Sequence, residues 1–148
     1  MSSNQLFLIP DVPEYAPNQS AARQARDFLK SVLPDADEVK SELNDALIFV
    51  DPGANLELVA CPQCGRNAGK WWGEALQNYR RNGAAAFVVV TPCCGKRTSL
   101  DGLHYRPTAG FARFVLSAHN PVRAITRKER QQLSRLVGCN LREVSAVV

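Results

Sequence analysis

The stretch Phe111-Ala112-Arg113-Phe114-Val115-Leu116-Ser117-Ala118-His119 decides the fold. Ala112, Phe114, Leu116 and Ala118 share one side of an extended chain, and Phe111, Arg113, Val115, Ser117 and His119 share the other. Successive side chains of a strand point to opposite faces, so this pattern predicts a strand in the middle of a core. Asn120-Pro121 ends it, because proline has no N–H for a ladder. Downstream, Thr126 and Glu129 have the spacing of a capping box. The helix they open turns Leu133, Leu136 and Val137 inward, and Gly138 stands where a helix commonly closes in a left-handed residue. A final strand over Leu141–Val148 places Val144, Ala146 and Val148 on one side.

Upstream, Glu38 to Val50 reads as extended chain. Val39, Ser41 and Leu43 alternate with polar residues, and Leu47 to Val50 is continuously apolar. Asn44-Asp45 between them is either a turn or a bulge in one long strand. Asp51-Pro52-Gly53 is a turn. Before it, Ala21, Ala25, Phe28, Leu29, Val32 and Leu33 recur at helical spacing. Asn18 or Ser20 caps that helix and Pro34 stops it. Leu6 to Ile9 suits a short buried strand, and the proline-rich Pro10–Asn18 a loop. The predicted order is strand, helix, strand, insertion, strand, helix, strand. This is an α+β pattern, and it fits the ferredoxin-like, split βαβ arrangement: an antiparallel sheet with two helices on one face. Residues 1–148 are then a single domain, and residues 54–109 an insertion between its two strand–helix–strand halves.

Composition agrees with a globular chain. Of 148 residues, 45% are hydrophobic and 22% charged, which argues against extended disorder. The longest apolar run, Ala84–Val90, is far short of the roughly 20 residues a membrane helix needs. Met-Ser-Ser-Asn-Gln shows no secretory signal, so a cytoplasmic location is expected. Charge is segregated: residues 1–60 carry 4 Lys/Arg and 10 Asp/Glu, a net −6, whereas residues 61–148 carry 14 and 4, a net +10. Either the halves neutralise each other on folding, or a basic face is left for an acidic protein or a nucleic acid.

The cysteines are Cys61, Cys64, Cys93, Cys94 and Cys139. An odd count without a secretory signal disfavours a disulfide framework and favours a metal site. Cys61-Pro62-Gln63-Cys64-Gly65 has the spacing of a zinc knuckle, and Pro92-Cys93-Cys94-Gly95 supplies a second pair. Cys94 precedes Gly95 as Cys64 precedes Gly65. Cys93 is less regular, because adjacent side chains diverge in extended chain, and His104 is the alternative fourth ligand. Four thiolates suit zinc or a rubredoxin-type iron. A single regular CxxC favours one structural Zn2+ per chain, and the loop-like Gly65–Gly69 disfavours a thioredoxin-like dithiol. Between the cysteine pairs, Trp71 to Asn82 is amphipathic, with Trp72, Ala75, Leu76 and Tyr79 on one helical face. Ala84 to Val90 is expected to be a strand, and Ser99 to cap a short helical turn holding Leu100 and Leu103. Trp71 and Trp72 either stack on a ligand or pack the insertion onto the sheet. Cys139 is expected to be a small apolar filler.

Phe49-Val50-Asp51-Pro52-Gly53-Ala54-Asn55, Cys61-Pro62-Gln63-Cys64-Gly65, Trp71-Trp72, Thr91-Pro92-Cys93-Cys94-Gly95, Ser99–Tyr105 and Gly110–Phe114 follow in this order. In this the chain resembles a family of small uncharacterised bacterial proteins with a CPxCG…TPCCG signature. The resemblance implies a bacterial source and a zinc-ribbon-like insertion, weakens the claim of His104 as a ligand, and supplies no activity.

The sequence offers no nucleophile, P-loop, dinucleotide or deaminase pattern. It is therefore expected not to be an enzyme. The leading expectation is a zinc-stabilised cytoplasmic protein that binds another protein, as an immunity or antitoxin-like inhibitor does. The alternative is a basic, nucleic-acid-binding zinc-ribbon protein. Arg123, Arg127, Lys128, Arg130 and Arg135 are the candidate partner-binding residues for either.

Overall fold

The structure is a computed structural model and describes residues 3–147. Its first strand is β1 (Asn4–Pro10), and helix α1 (Gln19–Val32) follows. The side chain of Asn18 accepts from the Ala21 N–H at 2.8 Å and caps α1, an interaction worth about 1 kcal/mol. Strand β2 (Glu38–Val50) comes next. Residues 51–109 then hold β3 (Leu58–Ala60), α2 (Gly69–Asn82), a single 3₁₀ turn at Gly83–Ala86, β4 (Val88–Val90), β5 (Arg97–Ser99) and β6 (His104–Arg106). The chain closes with β7 (Gly110–His119), α3 (Arg127–Val137) and β8 (Leu141–Val147). The capping box of α3 forms as expected, with Thr126 and Glu129 exchanging side chain-to-backbone bonds of 3.1 and 2.8 Å. Gly138 ends α3 in the left-handed conformation. Val148 lies outside the described residues.

The architecture is α+β, with a four-stranded sheet ordered β2-β7-β1-β8 in which all neighbours are antiparallel. Leu6 sits opposite Ala118 and Leu8 opposite Leu116. That register gathers Leu6, Leu8, Phe114, Leu116 and Ala118 into one core, where they meet Ala25, Leu29 and Leu33 from α1 and Leu133 and Val137 from α3. Burying each large apolar side chain there contributes about 1.5–3 kcal/mol. A second cluster joins Ile9, Val50, Ala112, Val115 and Val144.

Residues Asn44-Asp45 lie within one long strand. Leu43 is opposite Phe114 and Ile48 is opposite Ala112, so β2 bulges between them. The bulge is pinned from both sides: Asn44 Nδ2 donates to the Arg113 carbonyl at 3.2 Å, and Arg113 Nε donates to the Asn44 carbonyl at 3.0 Å. An inserted bulge bends a strand and re-aims the residues after it. Here Leu47 and Phe49 emerge against α2. The Tyr79 hydroxyl donates to the Leu47 carbonyl at 2.6 Å, and the Phe49 ring lies 5.6 Å from Trp72 and 5.2 Å from Phe111.

Within residues 51–109 the structure departs from the local expectations or adds to them in three places. Ala84–Val90 is not one strand: the alanines form the 3₁₀ turn, and extended chain begins only at Val88. Alanine is a poor strand former, and the turn drives Phe87 into the aromatic cluster with Tyr79 and Phe111. Ser99 ends β5 and caps a turn as expected, its Oγ accepting from the Gly102 N–H at 3.0 Å, but the turn is a single tight one. The β3–β6 pair was not anticipated; it matches Leu58, Val59 and Ala60 with Arg106, Tyr105 and His104.

That same turn carries Asp101. Its Oδ1 accepts from the backbone N–H of Phe111 and from Arg142 Nη2, both at 2.8 Å. Both side chains are largely covered, so the pair ties the cysteine-bearing segment to β7 and β8. Asp101→Ala leaves the Phe111 N–H without a partner and a covered guanidinium with no carboxylate, its remaining acceptor the Phe111 carbonyl at 3.5 Å. It is expected to destabilise the protein by roughly 2–4 kcal/mol, read as a lower urea midpoint, whereas exposed Asp27→Ala should stay within about 0.5 kcal/mol of the parent.

Candidate metal centre

Two turns of the same construction face each other. The first, Cys61-Pro62-Gln63-Cys64-Gly65-Arg66, follows β3; the second, Thr91-Pro92-Cys93-Cys94-Gly95-Lys96, joins β4 to β5. In the first, the Cys61 N–H donates to the Arg66 carbonyl at 2.9 Å and the Gly65 N–H to the Cys61 carbonyl at 2.9 Å. In the second, the Thr91 N–H donates to the Lys96 carbonyl at 2.8 Å and the Gly95 N–H to the Thr91 carbonyl at 2.7 Å. Gly65 and Gly95 take φ of 74° and 70°, a left-handed conformation that glycine adopts without a Cβ clash. Superposed residue by residue, Thr91 stands where Cys61 stands, and Cys93 where Gln63 stands.

The four sulfurs of Cys61, Cys64, Cys93 and Cys94 all lie within 4.8 Å of one another. Cys61 and Cys94 are 3.8 Å apart, and Cys64 and Cys93 3.3 Å. A tetrahedral zinc site with ~2.3 Å Zn–S bonds has sulfur–sulfur edges of roughly 3.8 Å. The cluster therefore fits a metal ion of zinc's size and softness. Cys93 reaches it because the turn is not extended chain, so the divergence expected of adjacent side chains does not hold. His104 is exposed on β6 and is not part of the cluster. Cys139 is also apart, half-buried with its sulfur 3.3 Å from Asp11 Oδ1, and burial pushes its thiol up.

Electrostatics explain why such a cluster favours a cation. Burial works to raise the Cys61 thiol, but the backbone N–H groups of Cys64 and Gln63 and the thiols of Cys93 and Cys64 outweigh it, leaving it at about 6. Cys93 is pushed up to about 12, mainly by its hydrogen bond with Cys64, with burial adding to it. Cys61 is thus the easy thiolate of the metal-free cluster, and Cys93 resists ionising in part because a charged Cys61 repels it. A divalent cation removes that repulsion, and metal binding then releases protons.

The partner-binding candidates divide. Arg123 makes two 2.9 Å bonds to the Glu129 carboxylate and also donates to the Val32 carbonyl. Its guanidinium holds Glu129 at about 2, so Arg123 braces the start of α3. Arg130 lies 3.8 Å from Glu143. Arg127, Lys128 and Arg135 make no ion pair among the described residues. Arg127, Arg130 and Arg135 line an open groove of about 650 Å³ between α3 and the start of β8, with no acidic residue in its wall. Among the described residues no Lys or Arg pairs across the boundary between the acidic first sixty residues and the basic remainder; the one contact that crosses it, His119–Asp37 at 3.9 Å, is an ion pair only with a protonated imidazole. The segregated charge is thus not consumed by direct pairing.

The tryptophans serve packing. The Trp72 indole N–H donates to the Tyr105 hydroxyl at 3.2 Å, which donates to the Leu100 carbonyl at 2.6 Å. Both Trp71 and Trp72 are half-buried against the cluster around Phe111. Thr91 is the residue that reading the sequence missed. It is fully buried, with its Oγ1 3.1 Å from the Cys94 sulfur, and the signal was the match of Thr-Pro-Cys-Cys-Gly to Cys-Pro-Gln-Cys-Gly.

Two outcomes follow for the metal. Cys64→Ser is expected to lower bound zinc and thermal stability together, because metal binding is folding free energy; elemental analysis and calorimetry on the same sample check this. The Cys61 thiol lies below its ordinary value of 9.0. The stability it contributes is therefore present above that value and is lost as pH falls through about 6. Protons compete with metal in the same direction, so zinc release, followed with a chromogenic chelator, should rise on acidification and not on alkalinisation.

No family model, curated protein or solved structure matches this chain. The resemblance to a bacterial CPxCG…TPCCG family gains no support from them, and the centre rests on its four sulfurs.

Proposed function

We propose that this chain is a non-catalytic binding module that uses a structural zinc ion to hold its middle segment and a basic groove to engage an acidic surface of another protein. Cys61, Cys64, Cys93 and Cys94 hold the metal. Four thiolates complete a zinc shell and leave no position for substrate or activated water. The sheet order β2-β7-β1-β8, with α1 and α3 packed together against the same strands, supports a ferredoxin-like core that carries residues 54–109 as a zinc-ribbon-like insertion within a single domain. No described helix is long and apolar enough to cross a membrane, and we place the protein in the cytoplasm.

The observation that carries the binding reading is the groove beside α3. Arg127 and Arg135 are exposed and unpaired among the described residues, and no carboxylate lines the wall. The helix that presents them is held rigid by its capping box and by the Arg123–Glu129 pair. Fixed like charges on a rigid element steer an oppositely charged partner. An immunity or antitoxin-like inhibitor, which works by covering a partner's site, needs no more chemistry than this. Nucleic acid is the second reading. It is supported by exposed Arg66, Lys96 and Arg97 at the two cysteine turns, which place cations beside the metal.

The test is native mass spectrometry of the tagged protein isolated from its own cells. One zinc and one acidic protein partner is the expected result. Arg127→Glu/Arg135→Glu should slow association with that partner about tenfold while leaving bound zinc unchanged. Recovery of nucleic acid instead, with affinity falling steeply with salt and sensitive to Arg66→Glu and Lys96→Glu, favours the second reading.

A further inference from the structure

We propose that Thr91 occupies a vacated ligand position: the second turn is a zinc knuckle whose first ligand is supplied two residues later, by Cys93, and the Thr91 hydroxyl serves the metal indirectly through Cys94. This deepens the metal-centre reading and rests on it.

Three observations carry the proposal. The backbone of the two turns is the same, by matched hydrogen bonds at both ends and by left-handed Gly65 and Gly95. Cys61 and Thr91 begin them, and both are fully buried at 0% exposure. Their side-chain heteroatoms also approach the same sulfur: Cys61 Sγ lies 3.8 Å from Cys94 Sγ, and Thr91 Oγ1 lies 3.1 Å from it. The first position of the second turn thus already faces the metal cluster, but it holds an oxygen that zinc–thiolate chemistry does not require there.

The hydroxyl has a defined role in this position. The Thr91 hydroxyl has one proton and two acceptors in reach, the Lys96 carbonyl at 3.2 Å and the Cys94 sulfur at 3.1 Å. With metal bound, Cys94 is a thiolate with no proton to give and is the stronger acceptor, so the proton turns to it. The hydroxyl oxygen also accepts from the Lys96 N–H at 3.2 Å. Thr91 is therefore a positioning residue that links the turn's backbone to one ligand. Partners of this kind typically change metal affinity by about 10–100-fold when removed. The substitution also decides which ligands are peripheral. Gln63, at the third position of the first turn, is exposed; Cys93, at the same position of the second, is half-buried and beside exposed Cys64. The ligands therefore run from buried Cys61, next to Cys94 and Thr91, through half-buried Cys93 and Cys94, to exposed Cys64.

The experiment uses cobalt(II) as a spectroscopic stand-in for zinc in the full chain. The parent is expected to show a four-thiolate tetrahedral spectrum, and a parent that binds no cobalt overturns the metal centre and this proposal with it. Cys93→Ser should lose about a quarter of the thiolate charge-transfer intensity. Thr91→Cys/Cys93→Ser should regain it, because the ligand returns to the first position. Failure of the double variant to exceed Cys93→Ser, in folded protein and with a normal parent, overturns the proposal while leaving the metal centre intact. Thr91→Val and Thr91→Ser provide a check that does not depend on the double variant folding. Thr91→Val should transfer zinc to a chelator at least about tenfold more readily and shift the cobalt charge-transfer band, and Thr91→Ser should behave as the parent. A Thr91→Val protein indistinguishable from the parent in both readouts also overturns it.

Discussion

The ring of Phe111 is where the sheet and the cysteine-bearing segment become one core. It begins the buried strand β7 and is itself fully buried. Its centroid lies 5.2 Å from Phe49 on β2, 5.6 Å from Tyr79 on α2 and 5.3 Å from Phe87 beyond the 3₁₀ turn. Each such aromatic pair adds about 0.5–1.5 kcal/mol beyond area burial. Three elements from different parts of the chain therefore meet on one side chain, and the Phe111 backbone N–H is held by Asp101 from a fourth. The bulge in β2 exists in this setting: without the extra residues between Leu43 and Ile48, Phe49 would not share a side of the sheet with Phe111.

That arrangement separates two jobs. The aromatic cluster and the Asp101–Arg142 pair fix where the middle segment sits. A metal held by the four sulfurs would fix its far end, where short β3–β6 and β4–β5 pairings alone supply little. Two-stranded ribbons of three residues are not stable by themselves, and both cysteine turns grow from such ribbons. A metal joining the turns would convert two weak ribbons into one closed unit, the usual reason for a structural zinc in a small segment.

The outer elements were legible in the sequence for physical reasons. α1 and α3 carry apolar faces at helical spacing with side-chain caps at Asn18 and Thr126, and β7 alternates from Phe114 to Ala118. Ala112, expected on the Phe114 side, instead joins Val115 in the other cluster, because the alternation breaks at Arg113 opposite the bulge of β2. The middle was less so. Three-residue strands have no period to read, and β3 and β6 are defined by each other, a tertiary fact. The alanines after Gly83 and the turn after Ser99 were settled by where Phe87 and Asp101 had to go. At the site, Cys61, Cys64 and Cys94 were legible from spacing and from the glycine that follows a knuckle. Cys93 was ambiguous because the reading assumed extended chain, and only the turn brings its sulfur to 3.3 Å from Cys64. Thr91 was hidden for a related reason: a threonine in a ligand's place carries no ligand signal of its own.

Charge gives the last step. Folding could have paired the acidic first part of the chain with the basic second part, and beyond Asp37–His119 no ion pair among the described residues does so. Arg123 and Arg142 are committed to holding α3 and the middle segment in place. Arg127 and Arg135 make no ion pair among the described residues, and Glu143, which lies 3.8 Å from Arg130, is not part of the groove's wall. Unneutralised like charges on a well-capped helix cost stability through self-repulsion, and nothing in the core depends on them. This is the charge that the proposed acidic partner would meet. The metal and the groove lie on different elements, so loss of the metal should loosen residues 54–109 before it disturbs α3, and the binding surface and the metal can be altered one at a time.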